Sequence, residues 1–148
     1  MKLSIIIVNY RAWRFITRAL DKLAPDFPDE WEIIIVDNES ESAAFIEHRD
    51  RYPWVRMVAN PANSGFGFGC IIGVAESSGE QLLFMNPDVV ASVEDIRSLM
   101  AEKAAHPDVG IVTPRQVGED GRPQKGFDEF PGVINQSKVL MALSRLWS

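Results

Sequence analysis

Lys2-Leu3-Ser4-Ile5-Ile6-Ile7-Val8 and Trp31-Glu32-Ile33-Ile34-Ile35-Val36 are the two stretches that decide the fold. Both are β-branched runs without polar alternation, the pattern of strands covered on both faces rather than one. Such strands sit inside parallel sheets. Between them, Trp13, Ile16, Ala19, Leu20 and Leu23 follow the i, i+3, i+4, i+7 spacing of a helix with one buried face, and Pro25 and Pro28 end it. Downstream, Glu41 to Tyr52 reads as a helix through Ala44, Phe45 and Ile46, and Trp54 to Val58 as a shorter strand. Asn60-Pro61 breaks the pattern. A loop from Asn63 to Gly69 leads into a helix from Cys70 to Glu76, closed by Gly79. Gln81 to Met85 is a fourth strand, stopped by Asn86-Pro87-Asp88. Ser92 to Ala105 is a helix with Ser92 as N-cap and Asp95 in its first turn, and Val109 to Thr113 a fifth strand. Pro114 to Gly132, rich in Gly, Pro and charge, reads as a linking loop. Strands alternating with helices predict βαβ units, a mostly parallel sheet and right-handed crossovers.

Composition narrows the function classes. The chain has 148 residues, with 15 Lys and Arg against 21 Asp and Glu, a net charge of −6, 46% hydrophobic and 24% charged residues. That is an ordinary globular balance, and a chain of this length buries about 68–70% of its unfolded surface in one core. An isoelectric point near 4.9 excludes a nucleic-acid-coating protein, which needs a basic face. Cys70 is the one cysteine, and neither His48 nor His106 belongs to a cluster with zinc spacing. A reducing, cytosolic compartment fits best. The apolar run Leu3 to Val8 is too short to span a membrane, and Arg11, Arg14 and Arg18 follow it where a signal peptide would place its cleavage region.

In an open parallel sheet the ligand crevice lies beyond the carboxyl ends of the strands. Asn9-Tyr10, Asp37-Asn38, Asn63 to Gly69 and Asn86-Pro87-Asp88 are therefore the segments to weigh. The glycine loop fits neither common phosphate motif. A G-x-G-x-x-G fingerprint would need glycine at Cys70 or Ile72, and no lysine stands between Lys22 and Lys103 for a Walker loop. A glycine-dense turn that permits positive φ and close approach is what remains, serving either a ligand or helix packing. Asp37, ending a buried strand, can accept from a base N–H or a ribose hydroxyl, or it can cap a turn together with Asn38. In Asn86-Pro87-Asp88 the proline fixes the backbone, which suits a hard cation completed by substrate phosphates as well as a turn into the next helix.

With these segments quoted, the chain resembles the nucleotide-sugar-dependent glycosyltransferases of family 2, GT-A fold, above all the rhamnosyltransferase-like branch. The resemblance rests on four segments in matching order and spacing: Ser4-Ile5-Ile6-Ile7-Val8-Asn9-Tyr10, Ile35-Val36-Asp37-Asn38-Glu39-Ser40, Asn63-Ser64-Gly65-Phe66-Gly67 and Leu83-Phe84-Met85-Asn86-Pro87-Asp88-Val89. Val109 to Pro114, Asp120-Gly121-Arg122 and Phe130-Pro131 resemble the lead into the family's acceptor half. The resemblance implies a Rossmann-like nucleotide-diphosphate-sugar-binding domain over residues 1–114, with 115–148 as a linking loop and the start of an acceptor half. It implies that Val8, Tyr10 and Asp37, with Asn38 nearby, hold the base and ribose, and that Asn63, Gly65 and Phe66 line the donor site. Asn86 would contact the donor, and Asp88 would bind the Mg²⁺ or Mn²⁺ that bridges the diphosphate.

The activity so implied is inverting, metal-assisted transfer of a sugar such as rhamnose from a UDP- or dTDP-linked donor to a saccharide or lipid-linked acceptor. This is a step of polysaccharide biosynthesis, in the cytoplasm or at the inner face of the membrane. Two departures from the pattern stand out. Cys70-Ile71-Ile72 occupies the place where the family usually shows an asparagine, and no segment is long enough for the half that carries the general base. Gly126-Phe127-Asp128-Glu129-Phe130 looks like an element of that half but comes too soon after Asp88, so Asp128 and Glu129 read as solvated loop charges. The apolar stretch from Val139 to Trp147 implies packing on the sheet edge or self-association. A non-catalytic nucleotide-binding or regulatory module on the same fold is the alternative. A phosphoacceptor receiver domain is disfavoured, because Asn9-Tyr10 and Pro114-Arg115 stand where it needs acids and a lysine.

Overall fold

The computed structural model describes residues 2–39, 42–118 and 120–124. The chain divides into two units between Arg97 and Ser98. In the first, four parallel strands form one sheet: β1 (Leu3–Asn9), β2 (Trp31–Asn38), β3 (Arg56–Asn60) and β4 (Gln81–Phe84), in spatial order β3-β2-β1-β4. Helices α1 (Trp13–Leu23), α2 (Ser42–Arg51) and α3 (Phe66–Ala75) connect them, and α4 (Val93–Ala105) follows β4. Every residue of β1 is buried, and in β2 every residue but Glu32. The unbroken apolar runs are central strands, as the absence of alternation predicts.

The chain steps from β1 to β2 to β3 in one direction and then returns past β1 to β4. Right-handed crossovers therefore put α1 and α2 on one face and α3 on the other. Contacts agree with this. The Trp13 ring of α1 stacks on His48 of α2 at 4.3 Å, and the Tyr52 hydroxyl after α2 donates to Asp21 of α1 at 2.8 Å. Helix α1 buries Trp13, Ile16, Ala19, Leu20 and Leu23, the five positions its spacing predicts.

On the other face α3 packs over β1 and β2. Only glycines allow it to come so close. A Cβ on Gly69 would lie 2.7 Å from Val8 Cγ1, and one on Gly73 would collide with Ile6 Cγ2. Below α3, Ser4 occupies a fully buried position because its hydroxyl is shared between two partners. It donates to Glu32 Oε1 at 2.6 Å and accepts the Gly79 N–H at 2.8 Å. Glu32 Oε1 also accepts from the Ser78 amide and hydroxyl, at 2.6 and 2.9 Å. This staple ties the turn before β4 to the amino ends of β1 and β2.

Helix α4 opens with a reciprocal cap. The Ser92 hydroxyl donates to Asp95 Oδ2 at 2.6 Å and accepts the Asp95 N–H at 3.1 Å, while Asp95 Oδ2 accepts the Ser92 amide at 2.8 Å.

Several boundaries move from their sequence positions. Helix α3 begins at Phe66, inside the stretch read as loop, and burial of Gly69 and Gly73 against the sheet offsets the weak helix propensity of glycine. β3 runs from Arg56 to Asn60 rather than from Trp54 to Val58, since the Val55 N–H closes a turn onto Tyr52 O. Val109 to Thr113 forms no strand. Ile111 is 88% exposed, and among the described residues no strand runs beside it to supply a ladder. The described part of the linking loop holds a tight antiparallel bridge between Val117 and Pro123, turned by Gly121 at φ 73°. Ser40, the segment 126–131 and the stretch 139–147 lie outside the described residues. No helix among the described residues is long and apolar enough to cross a membrane.

Two measurements test this packing. Gly73→Ala is expected to cost about 1–3 kcal/mol in urea denaturation. Gly67→Ala, where a Cβ meets nothing within 4 Å, should be neutral or stabilising by up to about 1 kcal/mol. The second concerns pH. Burial pushes the Glu32 carboxyl up, but hydrogen bonds from Ser4 and Ser78 and the charge of Arg56 outweigh it and leave the group below its ordinary 4.5. A folded-state value below the unfolded one contributes stability that is full above about pH 4.5 and is lost as pH falls through the folded-state value. Glu32→Gln should flatten that part of the acid limb in a pH series of unfolding midpoints.

Candidate functional site

Because all four strands are parallel, their carboxyl ends meet along one edge of the sheet. The ladder pairs Asn9 with Asp37, Asp37 with Ala59 and Asn38 with Asn60. Successive residues alternate between faces. Asn9 and Asp37 therefore share the face of α1 and α2, whereas Asn38 and Asn60 share the face of α3. Asn9, Asp37 and Asn38 are the polar residues buried at this edge, at 0, 3 and 1% exposure.

Buried polar groups persist only when hydrogen-bonded, and these are. Asn9 Nδ2 donates to Asp37 Oδ1 at 2.6 Å, and Asn9 Oδ1 accepts the Ala12 N–H that opens α1 at 2.9 Å. One amide thereby joins β1, β2 and the start of α1. On the opposite face Asn60 Nδ2 donates to Asn38 Oδ1 at 2.8 Å and to Ser64 Oγ at 2.7 Å, and Asn38 Nδ2 donates to Gly65 O at 3.2 Å. The loop is closed locally by the Gly65 N–H on Asn63 Oδ1 at 3.1 Å. Gly65 sits at φ 83°, a conformation that favours glycine, and its carbonyl also accepts the Gly69 N–H as α3 begins.

The two exits from the central strands share a less common backbone. Arg11, after β1, has φ 55°, and Glu39, after β2, has φ 60°. Left-handed backbone at such residues concentrates at binding sites and switch regions. Tyr10 is 45% exposed beside Arg11, whose guanidinium lies 5.2 Å from its ring centre.

β4 pairs with β1 only as far as Ile6–Phe84, so Ile7 to Asn9 run beyond its end. The Met85 N–H still donates to Ile6 O, and then Asn86-Pro87-Asp88-Val89 folds into a β-turn closed by the Val89 N–H on Asn86 O at 3.1 Å. Proline at the second position presets such a turn. Strand order reverses between β1 and β4, the switch point where a crevice opens in this class of sheet.

Each residue singled out in the sequence has a definite place at this edge. Val8 is buried under Gly69, Asp37 is buried against Asn9, and Asn38 is buried with both ends of its amide engaged. Tyr10, Asn63, Gly65, Phe66, Asn86 and Asp88 are exposed, on the segments that follow β1, β3 and β4. The structure brings Val8, Asn38 and Gly65 together through α3, and Asn86 and Asp88 together in the turn. Sequence reasoning gave no role to Asn60 or Ser64. The signal that could have found Asn60 is an asparagine closing a parallel strand, as Asn9 and Asn38 do.

Comparison with known proteins bears on family and fold. The model of the family described as Glycosyl transferase family 2 matches residues 4–144. The poly(ribitol-phosphate) beta-N-acetylglucosaminyltransferase TarS of Staphylococcus aureus is 28% identical over 97% of this chain and 26% of its own length. The low-salt glycan biosynthesis hexosyltransferase Agl10 of Haloferax volcanii is 29% identical over 94% of this chain and 44% of its own. The chain thus spans between a quarter and a half of the length of these relatives. A crystal structure of TarS 1–349 in complex with UDP-GlcNAc superposes with a TM-score of 0.63 at 27% identity, over 72% of this chain and 32% of that one. The mannosyltransferase PcManGT of Pyrobaculum calidifontis, in complex with GDP-Man and Mn²⁺, shares the fold at TM-score 0.62 and 21% identity, over 74% of this chain and 34% of its own.

Cys70 and Ile71 occupy the place in α3 where the family resemblance leads one to expect an asparagine. Cys70 is half-buried, and Ile71 is 63% exposed. Burial pushes the Cys70 thiol above its ordinary 9.0. Alkylation by iodoacetamide at pH 8 should therefore be slower than that of a free cysteine, with the rate still rising above pH 9. A rate that levels off below pH 8.5 would contradict this.

Proposed function

This chain belongs to glycosyl transferase family 2, and from that membership we propose that it holds the nucleotide diphosphate of a sugar donor at the carboxyl edge of its sheet. Val8, Tyr10 and Asp37 hold the base and ribose. Asn63, Gly65 and Phe66 line the donor, and Asn86 and Asp88 meet its diphosphate across the switch point. Asn38, whose amide is occupied by protein partners, belongs to the site as support rather than contact. The observation that carries this reading is the position of these residues at the carboxyl ends of parallel strands and on the segments that follow them, on both sides of the strand-order reversal. The likeness to TarS, whose 1–349 fragment was crystallised with UDP-GlcNAc, supports a uridine nucleotide sugar.

A divalent cation fits the residues present. Asp88 stands exposed on the turn after β4 and would hold the cation through one carboxylate, with further oxygens from the substrate, a usual arrangement for Mg²⁺. Charge argues the same way. The described residues that follow the strands, 10–12, 39, 61–65 and 85–91, carry Arg11 against Glu39 and Asp88. A diphosphate would meet like charge there without a counter-ion. When bound, such a cation supplies neutralisation of the departing diphosphate. The first-turn N–H groups of α3, which lack a side-chain cap, favour negative charge at the same edge.

The reaction we propose is inverting transfer of the sugar to a saccharide or lipid-linked acceptor, in the cytoplasm or at the inner membrane face, as a step of polysaccharide assembly. Rhamnose and N-acetylglucosamine are the donor sugars to test first. Residues 1–114 form the donor domain and 115–148 the lead to the acceptor side. Ile71, exposed where a polar donor contact is expected, favours a second reading, a module that binds nucleotide without turnover.

Calorimetric titration with UDP and dTDP, with and without Mn²⁺, tests the proposal. Metal-dependent binding is expected, with Asp88→Ala weakening it at least about tenfold, the loss of one charge-assisted contact. Binding that is indifferent to Mn²⁺ and to Asp88 would remove the metal from the reading. No binding of either nucleotide would remove the donor site.

A further inference from the structure

We propose that Asn38 and Asn60 are positioning residues for the donor loop, a two-amide relay that fixes the Asn63–Gly65 turn and the first turn of α3 onto the ends of β2 and β3. The inference rests on the donor-site reading for its functional meaning and on hydrogen-bond chemistry for its geometry.

The relay has one direction. The Gly65 carbonyl can only accept, so the Asn38 NH₂ must face it, and this turns Asn38 Oδ1 toward Asn60. Asn60 must then present its NH₂, and its two N–H groups divide between Asn38 Oδ1 and Ser64 Oγ. Neither amide can flip without setting acceptor against acceptor. The main chain of Asn60 adds a third tie, its carbonyl accepting the Glu39 N–H at 3.0 Å. The left-handed exit of β2 and the exposed turn are thus both tied to Asn60 at the end of β3, by its main chain and its side chain, and the start of α3 is joined to them through Asn38.

Asn38 is also walled in. A Cβ on Gly69 would lie 3.4 Å from its Nδ2, and the residue is 1% exposed, so a donor would feel Asn38 through Gly65 and not by contact. The turn that it holds carries the exposed Asn63, Gly65 and Phe66. Held by the relay, those groups keep one arrangement before a ligand arrives. Without it, ordering them falls to the binding step and weakens binding.

Three variants of the full chain test the relay: Asn60→Ala, Asn60→Asp, which keeps the shape but cannot donate, and Ser64→Ala, which removes only the exposed anchor. Amide hydrogen exchange and UDP affinity in the presence of Mn²⁺ are read together. Exchange at the Gly69 amide, bonded to Gly65 O, should quicken about tenfold in both Asn60 variants. Amides of α1 around Leu20 and Leu23 should keep their wild-type rates. UDP affinity should fall about tenfold in Asn60→Asp and less in Ser64→Ala. Unchanged exchange at Gly69, or equal acceleration in α1, overturns the relay. Localised loosening with undiminished affinity overturns its role toward the donor. If Asn60→Ala does not fold, the other two variants decide. Wild-type protein that binds no UDP overturns the donor-site reading instead, and the exchange measurement still judges the relay.

Discussion

The pairing of β1 with β2 is the constraint on which everything else depends. It runs in register from Leu3–Trp31 to Asn9–Asp37, and both strands are buried on both faces. A parallel ladder of this kind cannot slip by one residue without turning every side chain to the other face. Its apolar middle fixes the register, and the register delivers the polar ends. Asn9 and Asp37 arrive side by side on one face, and Asn38 arrives on the other, within reach of Asn60. The site is thus a consequence of where the isoleucines stop.

The second face adds a condition of its own. α3 lies against β1 and β2 only because Gly69 and Gly73 present no Cβ, and this close seat brings Gly65 within hydrogen-bonding range of Asn38. Packing and site geometry therefore share residues. A methyl at Gly73 would act at a distance, by lifting the helix whose first turn carries the loop. The amino ends of β1 and β2 are closed separately, by Ser4 and Glu32, so that the turn before β4 is anchored independently of the carboxyl edge.

How much of this was legible in the sequence differs from element to element, for physical reasons. β1 and β2 are plain because burial on both faces removes alternation, and α1 because five apolar residues fall on one face and stay there. α3 was half hidden. Its glycines have poor intrinsic propensity, and its seat is set by the approach of Gly69 and Gly73 to Val8 and Ile6, far away in the chain. Val109 to Thr113 shows the reverse failure, a β-branched run that has the composition of a strand and, among the described residues, no ladder to join. At the site, topology pointed to the segments Asn9-Tyr10, Asp37-Asn38, Asn63 to Gly69 and Asn86-Pro87-Asp88, since the ends of parallel strands share an edge, and the family resemblance singled out residues within them. The role of Asn60 was not readable, because an asparagine before proline looks like a turn until its partner, Asn38, is found at the end of the neighbouring strand.

The Asn60-Pro61 and Asn86-Pro87 steps bear on how this edge ages. Asparagine deamidates when the backbone nitrogen of the next residue attacks its side-chain carbonyl, and a proline nitrogen has no hydrogen to lose in that reaction. Asn60 and Asn86 are therefore shielded from slow conversion to aspartate by their neighbours. Asn63 is different, exposed and followed by Ser64. In a stored or heated preparation, the chemical clock of the site runs at Asn63. The charge gained there would appear on the loop after β3 itself, while the relay that holds the loop stays intact.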